Sequence, residues 1–217
     1  MKILLALISL SLPAAEVVAR PGQSPIINFR IAFRAGAAND PAGKAGLATF
    51  TATMLSDGGT KAKTRQQILD EMYPMAARLG AQVDKEMIVF EGTTHAENLE
   101  PFYVNLRDAL LAPGWREDDL KRIRDAQTNA LKLSLRGNND EELGKEVLYE
   151  QLYAGHPYGH VNLGKLSAIG AITMADLQGF YKAHFTQANL IIGVAGNYPK
   201  GFVERMQKDF AVLPKGA

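Results

Sequence analysis

Gly46-Leu47-Ala48-Thr49-Phe50-Thr51-Ala52-Thr53-Met54-Leu55, followed by Gly58-Gly59-Thr60, is the stretch on which the reading of this chain turns. Leu47, Phe50, Met54 and Leu55 recur at helical spacing and predict an apolar face, so a helix is expected over residues 44–56. The break at Asn39-Asp40-Pro41 precedes it and Gly58-Gly59 closes it. On its other side Thr49, Ala52, Thr53 and Ser56 fall at i, i+3, i+4 and i+7, a stripe of small side chains. Spacing alone gives that stripe a plain meaning, since small residues let a helix lie close to a sheet or a neighbouring helix.

Working outward, residues 16–19 and 26–33 are β-rich runs separated by Pro21-Gly22-Gln23-Ser24-Pro25, and they are expected to pair with each other. Thr64 to Gln67 has the form of a capping box, with Ile68, Met72, Ala76 and Leu79 following at helical spacing and Pro74 expected to kink the run. Residues 83–94 are strand-like around the apolar Met87-Ile88-Val89-Phe90. Leu99, Phe102, Tyr103, Leu106 and Leu110 mark a further helix, and a long one is expected over 116–136, opened by Glu117-Asp118-Asp119 at its positive dipole end. Another helix carries Leu143, Val147 and Leu152 before the breaker-rich loop Gly155-His156-Pro157-Tyr158-Gly159. Thr173 caps a helix with Leu177, Phe180 and Tyr181, the segment 189–196 alternates as a buried strand, and 202–210 forms a last helix. Strands, then helices, then a returning strand predict an α+β fold, a mostly antiparallel sheet with helices packed on one face.

The 217 residues, 47% hydrophobic and 22% charged, suffice for one sizeable core. With 24 Lys and Arg against 23 Asp and Glu, nothing recommends a nucleic acid or an anionic membrane as partner. The absence of cysteine removes disulfides, thiolate zinc sites and a cysteine nucleophile together. Lys2, the apolar run 3–12 and Pro13-Ala14-Ala15 are read as a secretory signal over 1–15, with a buried first strand as the alternative. The expected organisation is that signal, one domain over 16–212 and a linker-like tail over 213–217, with a periplasmic or secreted location and no stable membrane insertion.

The quoted stretch resembles the inverted zinc-binding segment of the pitrilysin, insulinase and mitochondrial processing peptidase family, which reads G-L-A-H-x-x-E-H-M-L. The resemblance extends to Arg34-Ala35-Gly36 with Asp40-Pro41-Ala42-Gly43, to Leu79-Gly80-Ala81, to the 155–159 loop, and to Ile172-Thr173-Met174-Ala175-Asp176-Leu177 with Phe180-Tyr181 and the 189–196 strand. It implies a half-domain of the processing-peptidase type. In the family pattern two histidines on one helix face ligate zinc and the glutamate between them acts as general base on metal-bound water. Here Thr49, Ala52 and Thr53 stand at those three positions. The third ligand implied, a Glu about 75 residues further on, would fall in Thr128-Asn129-Ala130-Leu131-Lys132, which holds no carboxylate. A threonine hydroxyl stays protonated and alanine neither ligates nor moves a proton, so no cofactor is expected in this chain and no hydrolysis by it alone.

His156 and His160 are four apart but separated by Pro157 and Gly159, so helical ligand geometry is not enforced; they are the candidates for an enzyme with displaced zinc ligands. No G-x-S-x-G elbow is present. The resemblance further implies that Ala81, Gln82, Val83 and Asp84 form a strand edge that adds an extended substrate, with an ordinary hairpin strand as the alternative reading. Such peptidases enclose polypeptides between paired halves or subunits. The expected function is therefore a non-catalytic domain that helps enclose or position polypeptide beside a zinc-bearing subunit or second domain. The alternatives are an active zinc metalloendopeptidase or a structural, chaperone-like module.

Overall fold

The computed structural model describes residues 15–216; all but the last residue of the expected signal segment lies outside them. Five strands, β1 (Glu16–Pro21), β2 (Ile26–Phe33), β3 (Arg78–Val83), β4 (Ile88–His95) and β5 (Leu190–Gly196), form one sheet in the order β1-β5-β2-β4-β3. Every pairing is antiparallel except β1 with β5. Among the described residues eight α-helices accompany them: α1 (Leu47–Asp57), α2 (Arg65–Met72), α3 (Leu99–Leu111), α4 (Glu117–Asn129), α5 (Asp140–Leu152), α6 (Leu166–Ala171), α7 (Met174–His184) and α8 (Phe202–Phe210).

Period-two alternation gives the sheet one buried face. Ile27, Phe29, Ile31 and Phe33 of β2, Ile88 and Phe90 of β4, and Leu190, Ile192 and Val194 of β5 point into a core shared with α1, α3, α7 and α8. Phe29 lies against Phe102, Tyr103 and Phe202, while Phe33 and Phe90 surround Phe185. The opposite face carries Arg30 paired with Glu91 and Thr93 donating to Asn28. The expected α+β architecture with helices on one face is the observed one.

Several local expectations change. β1 and β2 are not neighbours: β5 inserts between them, pairing with each. The alternating apolar residues of β5 are buried most fully in a strand flanked on both edges, and the 22–25 segment steps over it, held by Gly22 N–H to Gly196 O at 3.0 Å and Asn197 N–H to Ser24 O at 3.0 Å. The Thr64 capping box forms, yet α2 ends at Met72 rather than kinking. Pro74 has no N–H to continue the ladder, Ala76 takes φ of 46°, and Leu79 and Gly80 lie in β3. The strand-like stretch 83–94 is the end of β3 and all but the last residue of β4, joined by a turn closed by Asp84 N–H to Met87 O at 2.8 Å. The long helix over 116–136 is α4 continued as a π-helical turn over Ala130–Leu135. α6 was not anticipated, and α5 buries none of its residues, so its apolar periodicity serves no internal core.

Helix α1 runs through the centre of the helical layer, in contact with β3, β4, α3, α4 and α7. Its sequence is rich in threonine, and its stability comes from burial: Leu47, Ala48, Phe50, Thr51, Ala52, Met54 and Leu55 are all buried. Gly46, at its N-cap with φ of 97°, offers no side chain to the first turn. The Asp40 carboxylate does so instead, accepting Gly46 N–H at 2.6 Å and Ala48 N–H at 2.7 Å. Asp40→Ala should lower the unfolding free energy by about 3 kcal/mol, because two donors and a histidine partner lose a buried acceptor. Glu16→Ala, which breaks an exposed pair with Arg34, should leave the urea midpoint unchanged. Equal midpoints for the two variants would refute this role for Asp40.

Candidate functional site

Threonine at 49 and 53 and alanine at 52 share the face of α1 that meets the 155–163 loop and the end of β3. Thr49 Oγ1 donates to the Asn162 carbonyl at 2.6 Å, and Thr53 Oγ1 donates back to the Thr49 carbonyl at 2.9 Å. Ala52 is wholly buried. Both hydroxyl protons are thus spent on backbone carbonyls, and the position between them carries only a methyl group closed off from water.

The loop that meets Thr49 is held from several sides. His160 Nε2 lies 3.1 Å from Asp40 Oδ2, tying the loop to the carboxylate that caps α1. Gln127 of α4 donates to Leu163 O at 2.8 Å and to Gly46 O at 3.2 Å. Gly46 and Gly164 stand back to back, and a β-carbon on Gly46 would sit 2.7 Å from the Leu163 carbonyl oxygen, so only glycine permits the approach. Lys85 Nζ donates to His160 O, and Tyr158 Oη donates to Glu86. Asn162 Nδ2 donates to Val83 O at 3.1 Å. Burial is the largest influence on Lys85, pulling its pKa below the usual lysine range, and on Glu146, pushing its pKa above the usual carboxylate range.

These contacts show where each candidate side chain stands. The window 128–132 lies at the end of α4 and in the π-helical turn, with Leu131 buried. His160 is engaged with Asp40, and the exposed His156 accepts the Tyr158 N–H at 3.2 Å, so the two histidines serve separate structural partners. Among the described residues no three His, Asp or Glu side chains come together as a metal site would require. The side chains at these three positions, two protonated hydroxyls and a methyl, do not fit a zinc ion.

β3 is the edge strand beyond β4 and carries Ala81, Gln82 and Val83. Asp84 lies in the turn, where its N–H bonds Met87 O and its carbonyl accepts Ala37 N–H at 2.9 Å. Because the Val83 carbonyl points outward to Asn162, the alternation of an antiparallel strand directs the backbone groups of Leu79 and Ala81 outward too. Beside them β3 and α2 enclose a groove of about 790 Å³, lined by Leu69, Met72, Tyr73, Leu79 and Gly80 among others. Tyr73 is 89% exposed there. The sequence reading missed Asn162 and the Asp40–His160 pair. The only signal for Asn162 is a lone amide between the apolar Val161 and Leu163.

The family profile described as Insulinase (Peptidase family M16) matches residues 17–163. The beta subunit of the mitochondrial-processing peptidase of Neurospora crassa is 29% identical over 178 residues, 79% of this chain and 36% of that protein. An uncharacterized zinc protease of Rickettsia felis is 23% identical over 159 residues, 73% of this chain and 38% of that protein. A crystal structure described as a peptidase M16 inactive domain from Pseudomonas fluorescens superposes with a TM-score of 0.83 and 26% identity, covering 94% of this chain and 49% of that one. The chain spans about a third of the length of the curated relatives it matches first, 34% and 31%. With a profile covering most of its length and the fold to match, the chain belongs to the insulinase family of peptidases, family M16.

Proposed function

We propose that this domain is a non-catalytic member of the insulinase family that binds extended polypeptide and positions it beside a zinc-bearing subunit or second domain. One observation carries the reading. The three metal-site positions are occupied by Thr49, Ala52 and Thr53, whose polar groups are consumed inside the chain, while the β3 edge next to them keeps outward-facing backbone groups. Strand addition needs only main-chain donors and acceptors and a place for alternate side chains, so it survives the loss of the metal.

The open part of that edge is Leu79 to Ala81, with the Gln82 side chain exposed beside it. Asn162 and the turn use the Val83 carbonyl and the Asp84 backbone, so an added strand would end before them. The relative described as an inactive domain supports a non-catalytic role, and those named as processing-peptidase subunits support a paired arrangement. Lys2 and the apolar run at 3–12 support an exported, periplasmic setting. The displaced-ligand reading gains nothing from the geometry, because His156 and His160 have separate partners.

The isolated chain should bind a reduced, unfolded polypeptide in fluorescence anisotropy and leave it uncleaved. Ala81→Pro, which removes one outward N–H, should weaken that binding about tenfold with an unchanged circular dichroism spectrum. Undiminished binding by Ala81→Pro would remove the edge from the account, and chelator-sensitive cleavage would remove the non-catalytic role. Installing Thr49→His, Ala52→Glu and Thr53→His together should still leave zinc binding weak by calorimetry, since no carboxylate occupies 128–132. Tight binding by that triple variant would show that a third ligand is supplied elsewhere.

A further inference from the structure

Helix α5 stands off the body of the domain. Val147, Leu148 and Leu152 are 51%, 57% and 68% exposed, although an amphipathic helix is normally held in a folded chain by burying its apolar side. Beneath α5 lies a cavity of about 480 Å³. Leu143 and Val147 of α5 form one wall; Leu131 and Leu135 of the π-helical turn, with Val161 and Leu166, form the other. Two apolar surfaces thus face each other across a gap. Aliphatic walls give water no hydrogen-bond partners, so closing such a gap is favourable. Among the described residues the ion pair that ties α5 to the rest of the domain is Glu150 with Lys165, and side-chain exposures of 40% and 49% make it weak.

Both ends of α5 are built to turn. The π-helical turn over Ala130–Leu135 departs from α-helical winding, and Gly137, Asn138 and Asn139 after it are exposed. Beyond Leu152 the chain reaches Gly155 at φ of 80°, with open space where a side chain would stand. Hinges consist of a few such residues at the ends of elements. On its opposite side α5 lines a second cavity, of about 610 Å³, with the 84–87 turn and Asn162, where the free β3 edge ends. A shift of α5 toward Leu131 and Leu166 closes the first cavity and widens the second. The 13-residue helix is about 20 Å long and 10 Å wide, so closing about 480 Å³ beneath it needs a displacement of roughly 3 Å.

We propose that α5 is a hinged arm with two positions: the outer one of this structure, and an inner one in which Leu143 and Val147 pack on Leu131, Leu135, Val161 and Leu166. The inner position opens the far end of the β3 edge, so the arm gates that end. The gate rests on the polypeptide-binding reading above; the hinge does not.

The chain has no cysteine, so nitroxide labels can be placed one pair at a time. One pair goes on Gln151→Cys, exposed on α5, and Ala171→Cys, exposed at the end of α6; a control pair on Lys182→Cys and Gln207→Cys lies within the body. Double electron–electron resonance should give the first pair a second distance, roughly 3 Å shorter, and the control pair one distance. Val147→Phe, which fills the gap, should remove the shorter distance, with melting temperature as the control for folding. A single distance as narrow as the control and unmoved by Val147→Phe would overturn the hinge. Hydrogen exchange of the unlabelled chain gives a second readout: amides of residues 161–167 should exchange about threefold faster in Val147→Phe, and equal rates would also overturn it. Saturation with reduced, unfolded polypeptide should raise the share of the shorter distance. Unchanged shares while anisotropy reports binding would overturn the gate and leave the hinge. Absence of binding would overturn the polypeptide reading and the gate together, and the hinge then stands or falls on the distances in the free chain.

Discussion

The carboxylate of Asp40 organises the region on which everything else depends. Its side chain is almost wholly buried at 1% exposure, yet it accepts two backbone N–H groups at the start of α1 and stands beside the His160 ring. A buried carboxylate is costly unless its lone pairs are filled, and here the helix N-terminus and an imidazole fill them. The same group therefore sets the entry of the central helix and anchors the loop that packs across it. Once these are fixed, Thr49 meets Asn162, and Asn162 meets the end of β3.

This arrangement separates two properties that an active zinc peptidase combines. Zinc needs deprotonated or neutral nitrogen and oxygen donors converging at about 2 Å, and α1 offers hydroxyls already donating to carbonyls. Recognition of an extended chain needs only an accessible strand edge. Here the edge ends early, because the Asn162 amide occupies the Val83 carbonyl, but Leu79 and Ala81 remain directed outward beside the groove under α2. On the proposed reading, α1 contributes no metal chemistry and the neighbouring strand edge contributes the binding.

Much of the fold was legible because it follows local rules. The Thr64 and Thr173 capping boxes form with Gln67 and Asp176 as their spacing requires. The alternation in β5 and the helical period over Phe202–Phe210 were equally direct. Where non-local pairing decides, the reading failed: nothing in Glu16–Pro21 says that its partner is a strand some 170 residues later, laid parallel to it. Pro74 could be seen as a disruption, but not whether the chain would bend or stop. At the site, the residue types at positions 49, 52 and 53 could be read one by one. The loop that fills the space could not, since Asn162, His160 and Asp40 are far apart in sequence and meet only through tertiary packing.

The central proposal is that α1, with Thr49, Ala52 and Thr53 at the motif positions, does not hold zinc, and the direct measurement is the metal content of the purified chain. After equilibration with micromolar zinc and removal of free ion, the account predicts far less than one zinc per chain and a melting temperature indifferent to chelator. One tightly held zinc per chain, released with a fall in melting temperature on chelation, would contradict it.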